Sequence, residues 1–138
     1  MTLYLGPLEV RNFAQSPEEV LAHPHPNVRF QHEKVDAYLH RDQLNSVRVM
    51  TNTAGQLAKA SNYRPFGEAL DVVHDPRVSA ETKGFIGERY DADAGLQYLN
   101  ARYYDPATGM FIQPDWWEVT EPGVGTNRYA YSGNDPVN

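Results

Sequence analysis

Short apolar stretches separated by turn residues run through the first half of the chain and predict β-strands. Residues 2–13 carry apolar side chains on both sides of Gly6 and Pro7, as expected for two short strands joined by a turn. Gly55 suits a second turn, because glycine adopts a positive φ at no steric cost. Four further strands are predicted where β-branched and aromatic residues recur, at residues 28–30, 35–40, 46–53 and 56–63.

One segment carries helix signals instead. Ser16 offers an N-cap hydroxyl, Pro17 suits the first helical position, and Glu19 lies three residues after the cap. Pro24 would stop such a helix within about two turns. We therefore expect at most one short helix, near residues 17–22.

Composition supports an all-β fold and excludes several other classes. The chain of 138 residues has ten glycines and ten prolines, which is too many for a helix bundle because both residues are costly inside helices and common at turns. The formal charge of −6 argues against a phosphate-binding surface, so no nucleic acid partner is expected. No apolar run reaches the roughly 18 residues of a membrane span, and the first residues lack the basic-then-apolar order of a signal peptide.

Metal and cofactor sites are not predicted either. The chain has no cysteine, which excludes a disulfide framework and a thiolate metal site. His23 and His25 lie two residues apart, and imidazole is a common metal ligand. No carboxylate or third histidine is close in the sequence, and the neighbouring prolines favour an extended loop. We therefore prefer a solvated loop to a metal site, and we expect no cofactor.

An internal repeat with an offset of fourteen residues is the strongest feature of the sequence. Residues 90–96 recur as residues 104–110, with matches at Tyr, Asp, Gly and the apolar residue that follows. Each copy predicts one hairpin turn, in which the tyrosine ring packs on the sheet, the aspartate accepts backbone N–H groups and the glycine takes the left-handed conformation. The predicted turn-forming residues are Tyr90, Asp91, Gly95, Tyr104, Asp105, Pro106 and Gly109.

The repeat predicts a strip of stacked hairpins. Residues 97–103, between the two turns, have the length of one strand, and the polar residues 74–82 predict an irregular loop. A strip of hairpins has edges that must be covered or closed. The alternative is a pair of unrelated Asp/Gly turns, which are frequent in β proteins.

Five motifs follow one another in the order of a known family. They are YLHRDQLNSVR at residues 38–48, YRPFGE at 63–68, GERYD at 87–91, ARYYDPATG at 101–109 and NRYAYSGNDPVN at 127–138. This series resembles RHS repeat-associated core domains, which are related to the YD-repeat shells of toxin complexes and more distantly to teneurins. We expect residues 1–35, which match loosely, to form a hairpin and a short helix, and residues 36–138 to form one continuous β domain.

The resemblance implies a fold and a function. The fold would be all-β, an antiparallel hairpin strip of the RHS/YD-repeat β-shell type. In that family, hairpins wind into a hollow shell around a C-terminal toxin, and the core segment closes one end. This chain would then be a non-catalytic structural segment that helps to enclose a polymorphic toxin for secretion, with the rest of the shell or the toxin cargo as its partner.

Location and assembly follow from the same resemblance. The chain would lie in the bacterial cytoplasm before export, or outside the cell as part of a larger secreted or surface toxin. Exposed strand edges predict that the isolated chain either pairs with further copies in a homo-oligomer or is marginally stable.

Two functions of other classes stay open. The family's core often cleaves itself with two aspartates, one protonated and one activating water. Asp115 matches the first aspartate by resemblance, and the element with the second would follow Asn138, so this chain would be the remnant of an aspartyl autoprotease core and not an enzyme by itself. Trp116 and Trp117 are possible contact residues of a protein-binding or glycan-binding module. Because adjacent residues on a strand face opposite sides, one ring is expected to be buried and the other to be exposed or to line an inner wall or contact surface.

Overall fold

The computed structural model describes residues 1–32, 34–119 and 125–136. Its strands form two antiparallel sheets, and the described residues contain no α-helix, only two 3-10 turns at Phe85–Gly87 and Ser132–Asn134. The expected all-β antiparallel fold is therefore confirmed. The eight-stranded sheet has the order β1 (Leu3–Leu5), β2 (Leu8–Arg11), β3 (Glu19–His25), β4 (Val28–Gln31), β5 (Lys34–Arg41), β6 (Val47–Asn52), β7 (Leu57–Tyr63) and β8 (Ala69–Val73). The four-stranded sheet has the order β12 (Met110–Phe111), β11 (Arg102–Asp105), β10 (Leu96–Leu99) and β9 (Tyr90–Asp91).

The chain divides into two compact units. Unit 1 contains Met1–Gln43, Val47–Ser61 and Asp71–Ala80. Unit 2 contains Leu44–Ser46, Asn62–Leu70 and Glu81–Asn138, and thus includes the whole four-stranded sheet. The last two residues of the fifth sequence motif, Val137 and Asn138, lie outside the described residues.

The apolar core of unit 1 lies on one face of the central strands. Side chains of a strand point alternately to opposite faces, so Ala37 and Leu39 of β5 lie on the same face and are both buried. Val78 packs against this cluster from the segment that follows β8. The buried members of the core are Ala37, Leu39, Val47, Met50 and Ala58.

Unit 1 also contains a buried polar network. Arg29 is fully buried, and its guanidinium donates to the Asp36 carboxylate and, at 3.2 Å, to the Ala80 carbonyl oxygen. Arg11 donates to the same carbonyl at 2.5 Å, and the Ser79 hydroxyl donates to a carboxylate of β3. Hydrogen bonds to charged groups are stronger than neutral ones. Residues 79 and 80, in the irregular loop expected at 74–82, are therefore held to the sheet.

The short helix expected near residues 17–22 does not form, because β3 occupies Glu19–His25. Strand β3 pairs with β2 through Glu9 and Leu21 and with β4 through Leu21 and Gln31. Pairing on both sides satisfies the backbone groups of the segment, whereas a two-turn helix would leave most of its N–H and C=O groups unpaired. The helix-start signal at residues 16–19 is outweighed by the pairing of β3 with a strand on each side.

Residues 23–25 of the His-Pro-His-Pro segment also lie in a strand and not in a solvated loop, and Pro26 lies in the turn that follows. Both histidines belong to β3, and His23 is buried. Within residues 1–32, 34–119 and 125–136, no group of three or more His, Cys, Asp or Glu side chains is placed to hold a metal ion. The same residues include no helix with the length and apolar character needed to cross a membrane.

Residues 97–103 form two strands where the sequence predicted one. Strand β10 ends at Leu99, β11 begins at Arg102, and these two residues are paired across the hairpin. Asn100 has a φ of 62°, and asparagine takes the left-handed conformation more readily than other non-glycine residues. One fourteen-residue repeat therefore contains two strands and two turns.

Neighbouring segments of unit 2 cover part of both edges of the four-stranded sheet. On the β12 side, the Phe111 N–H donates to the Tyr129 carbonyl oxygen at 2.9 Å, and Met110 forms a bridge with Ala130. On the β9 side, the Tyr90 N–H donates to the Thr82 carbonyl oxygen at 2.8 Å. Each of these hydrogen bonds occupies a backbone group that would otherwise be open to another strand.

Candidate functional site

The first repeated turn reverses the chain between β9 and β10. Asp91 pairs with Leu96 at the end of the ladder. The Asp91 Oδ1 atom accepts hydrogen bonds from the N–H groups of Asp93 at 3.0 Å and Ala94 at 3.2 Å, and the Gly95 N–H donates to the Asp91 carbonyl oxygen at 2.8 Å. The aspartate thus supplies acceptors for three consecutive N–H groups of its own loop.

The second repeated turn has the same hydrogen-bond pattern between β11 and β12. The Asp105 Oδ1 atom accepts from the N–H groups of Ala107 at 2.9 Å and Thr108 at 3.4 Å, and the Gly109 N–H donates to the Asp105 carbonyl oxygen at 2.8 Å. The Thr108 hydroxyl adds a hydrogen bond to Asp105 Oδ2 at 2.9 Å. Pro106 lies directly after the aspartate, where its fixed φ suits the start of a turn.

Both turn glycines adopt the left-handed conformation, with a φ of 71° at Gly95 and at Gly109. Their surroundings differ. A Cβ atom at Gly95 would meet nothing within 4 Å, whereas a Cβ atom at Gly109 would lie 3.0 Å from the ring of Phe66. The second turn is packed against its own unit, and the first is open.

The two repeated tyrosines differ in the same way. Tyr104 is 0% exposed and donates its hydroxyl to the Phe66 carbonyl oxygen at 2.7 Å, whereas Tyr90 is 39% exposed. The Tyr104 ring lies 4.7 Å from Tyr131 and 5.7 Å from Phe111, measured between ring centroids. Edge-on and tilted arrangements at such distances are favourable for aromatic pairs.

Burial raises the pKa of Tyr104 well above its ordinary value, because the phenolate would lose its hydration, and the nearby Tyr131 and Asp105 add to the effect. Burial also raises the pKa of Tyr131. The hydroxyl of Tyr104 therefore stays protonated and remains a donor.

The aromatic cluster of unit 2 extends beyond Tyr104. Phe85 lies 5.8 Å from Tyr63 and 6.3 Å from Tyr131 between centroids. Gly67 has a φ of 89°, and a Cβ atom there would lie 2.4 Å from the Phe85 ring, so a side chain at this position would collide with the cluster. We define the aromatic cluster as Tyr63, Phe85, Tyr104, Phe111 and Tyr131.

Asp115 lies in a clamp with two arginines. Its Oδ2 atom is 2.8 Å from Arg102 Nη2, and its carbonyl oxygen accepts from the Arg128 guanidinium through Nε at 3.0 Å and through Nη2. Its Oδ1 atom accepts the N–H of Trp117 at 3.1 Å. Arg102 also lies over the Phe111 ring, 3.7 Å from the centroid. Among the described residues, the side-chain partner of Asp115 is thus a guanidinium and not a second carboxylate.

Trp116 and Trp117 form an exposed corner. They lie in a bend after β12, and their exposed fractions are 85% and 66%. The expectation that one ring is buried is wrong, because the two residues are not on a strand and the alternation of faces does not apply.

Sequence reasoning did not find the clamp, although Arg102 and Arg128 both lie in recognised motifs. Arg102 contacts Asp115, 13 residues away, and the Arg128 carbonyl oxygen, 26 residues away, and Arg128 contacts Asp115 from 13 residues away. Pairing over such separations depends on the fold and has no local pattern.

An antiparallel strip of hairpins with repeated Tyr-Asp-x-x-x-Gly turns defines the chain as a wall segment of the YD-repeat class. The sequence of residues 28–137 matches the family described as Teneurin YD-shell. Since the match covers most of the chain, the chain belongs to this family, and the expected relationship to RHS and YD-repeat proteins is confirmed.

Two relatives show the breadth of the family. The tRNA3(Ser)-specific nuclease WapA of Bacillus spizizenii is 32% identical over 110 residues, which cover 72% of this chain and 4% of that protein. Teneurin-m of Drosophila melanogaster is 29% identical over 121 residues, which cover 80% of this chain and 4% of that protein. The chain spans about one twenty-fifth of the length of these relatives, so the activity in the WapA name is not transferred to it.

Solved structures share the fold. The crystal structure of TcdB2-TccC3 superposes with a TM-score of 0.79 at 24% identity, and the match covers 99% of this chain and 7% of that one. The Photorhabdus luminescens Tc holotoxin pore superposes with a TM-score of 0.78 at 25% identity, with the same coverage of both chains. The chain therefore has the fold of a small section of a Tc toxin protein, in keeping with a structural role.

Proposed function

We propose that this chain is a non-catalytic section of a YD-repeat shell that helps to enclose a C-terminal toxin cargo. The observation that carries the proposal is the repeated Asp–Gly turn, which reverses the chain with the same hydrogen bonds at residues 91–95 and 105–109. Repeated reversals of this kind build a continuous wall, and the membership of the Teneurin YD-shell family supports its use as part of a shell.

Three features would give the wall its stability. The aspartates satisfy the loop amides, the glycines adopt the conformation that the reversals need, and the tyrosine of the second copy anchors the aromatic cluster. On this proposal the turn-forming residues are structural determinants, and residues 36–138 act as one core segment.

Protease protection tests the container role. In the complete gene product that contains these 138 residues, limited proteolysis should leave a cargo segment intact as long as the shell is folded. Tyr104→Ala should expose that segment, since it removes the buried ring of the wall, and Tyr90→Ala should leave it protected. A wild-type protein in which every segment is digested at the same rate would contradict enclosure.

We propose a structural role for Asp115 as well. Its carboxylate is paired with Arg102 and holds the backbone of Trp117, whereas a catalytic pair needs a second carboxyl that shares a proton. In the complete gene product, Asp115→Asn and Arg102→Gln should lower stability to a similar extent and leave chain processing unchanged. Loss of a cleaved product in Asp115→Asn alone would favour the autoprotease.

We also propose that the isolated chain associates through the edges of its eight-stranded sheet, which ends at β1 and β8. Every residue of β8 is exposed, including Leu70, Val72 and Val73. Light scattering after size-exclusion chromatography should show a mass above that of the monomer. A stable monomer over a wide concentration range would contradict this assembly.

A further inference from the structure

The tryptophans at positions 116 and 117 are the most exposed large rings of unit 2. Their exposed fractions of 85% and 66% exceed those of the exposed tyrosines, which do not pass 45%. A tryptophan in water forgoes the burial of a large apolar area. Tryptophan is also enriched among the residues that dominate binding energy at interfaces.

The backbone beneath these rings is fixed by the clamp. Asp115 receives both the Arg102 ion pair and the Arg128 guanidinium, and it donates its own N–H to the Arg128 carbonyl oxygen at 2.8 Å. Trp117 is bound through its N–H to the Asp115 carboxylate. A binding surface that is ordered before it meets a partner loses less entropy on association.

The most exposed charge beside the rings is negative, although the four charged groups around them, two carboxylates and two guanidiniums, balance. The Glu118 side chain is 76% exposed, and its carboxylate lies 3.9 Å from Arg128 Nη1, at the outer limit of an ion pair. Arg102 and Arg128 direct their guanidinium groups to Asp115, to a carbonyl oxygen and to the Phe111 ring. The corner therefore presents two exposed indole rings and one exposed carboxylate that Arg128 pairs only at long range, on a chain with a formal charge of −6.

We propose that the corner formed by Trp116, Trp117 and Glu118 is a docking site for an extended polypeptide segment that carries arginine or lysine. A cation over an indole face gains electrostatic attraction from the ring, and a carboxylate next to that ring adds an ion pair. A neutral partner would use the rings and gain nothing from Glu118. This inference does not depend on the container role.

Tryptophan fluorescence, excited at the red edge where the nine tyrosines absorb little, reports this site alone, because the protein has two tryptophans and both lie in the corner. The full chain is titrated with an alternating Arg-Gly peptide, with a Glu-Gly peptide of the same length and with a Ser-Gly peptide. The arginine peptide should change the emission saturably, and added salt should weaken its binding. The other two peptides should leave the emission unchanged.

Variants locate the contact by fluorescence anisotropy of a dye-labelled Arg-Gly peptide. Trp116→Ala or Trp117→Ala should weaken binding about tenfold, and Glu118→Gln a few-fold with a smaller salt dependence. The matched control is Asp93→Asn, which removes one exposed charge of the same unit in the first turn. Far-ultraviolet circular dichroism should show that all four variants are folded.

Three results would overturn the proposal. The first is equal weakening by Asp93→Asn and Glu118→Gln, which would show a general charge effect. The second is saturable quenching by a neutral oligosaccharide that does not depend on Glu118, which would make the corner a glycan site. The third is a change of emission with protein concentration alone, accompanied by association in light scattering that Trp116→Ala or Trp117→Ala weakens, which would make a second copy the occupant.

Discussion

The two repeated turns of unit 2 have the same local geometry and different surroundings. In each, an aspartate accepts loop amides and a glycine with a φ of 71° completes the reversal. Tyr104 is buried and Gly109 faces the Phe66 ring, whereas Tyr90 is 39% exposed and Gly95 has open space around its Cα.

This difference separates what the motif does from what its position adds. The hydrogen bonds belong to the motif, because they recur wherever the sequence recurs. The packing belongs to the position, because the tyrosine of the second copy is buried in the aromatic cluster whereas that of the first copy is 39% exposed. Matched substitutions in the two copies can therefore divide the stability of the wall into a local and a tertiary part.

The largest difference is expected for the tyrosines. Tyr104→Ala should lower the free energy of unfolding by about 3–5 kcal/mol, because it removes a buried ring and leaves a cavity. Tyr90→Ala should lower it by about 0.5 kcal/mol, as for a surface position. Urea unfolding followed by circular dichroism measures both, and equal losses would mean that burial does not distinguish the two copies.

The glycines should show a smaller difference of the same sign. Gly95→Ala should cost about 1 kcal/mol, which is the cost of a left-handed conformation for a residue with a Cβ atom. Gly109→Ala should cost about 2 kcal/mol or more, since the new methyl group also presses on the Phe66 ring. Gly55→Ala is the control, because its φ is 76° and nothing lies within 4 Å of the new Cβ atom. A Gly109 variant as stable as the Gly55 variant would contradict the role of packing.

High pH should weaken the packed copy. The pKa of Tyr104 is raised by burial, and in the unfolded chain tyrosine titrates near about pH 10. The contribution of Tyr104 to the free energy of unfolding is complete below that pH. It falls as the pH rises further, because the unfolded chain loses a proton that the folded protein retains. The free energy of unfolding should decrease by up to about 1.4 kcal/mol per pH unit from this group.

Unfolding experiments at a series of alkaline pH values test that decrease. Tyr104→Phe should make the dependence on pH shallower by about one proton, although it also loses the hydrogen bond to Phe66, which costs about 1 kcal/mol at neutral pH. An unchanged slope in Tyr104→Phe would show that another group is responsible.

The aspartates should differ least. Asp91→Ala and Asp105→Ala should each cost about 1 kcal/mol, because both leave loop amides without their side-chain acceptor. Asp105→Ala should cost slightly more, since the Thr108 hydroxyl also loses its hydrogen-bond acceptor. Thr108→Val measures the contribution of that one hydrogen bond. The asparagine variants keep an acceptor and should retain most of the stability. If Asp91→Ala left the free energy of unfolding unchanged, water would replace the aspartate as the acceptor in the open turn.

The sequence was informative where the signals were local. Most strands were predicted because β-branched and aromatic residues recur between turn residues such as Gly6 and Gly55. The ordered motifs identified the family of the chain from the sequence. Each strand and each motif is recognised from residues that are neighbours in the sequence.

Errors arose where the fold decides between local options. The helix start at Ser16 lost to strand pairing on both sides of β3, and the reversal at Asn100 was missed because asparagine is a weaker turn signal than glycine. The exposure of Trp116 depends on a bend, and the clamp around Asp115 joins residues far apart in the sequence. Such contacts are tertiary, and no periodic pattern in the sequence predicts them.

The presence of two strands in each fourteen-residue repeat has a consequence for how this wall can change in length. An even number of strands returns the chain to its starting direction with the same face inward, as shown by the equivalent inward positions of Gln97 and Phe111. Whole repeats can thus be duplicated or deleted with the inner and outer surfaces preserved. Loss of a single strand would reverse the direction of everything that follows, so evolution should add or remove such hairpins only in pairs of strands.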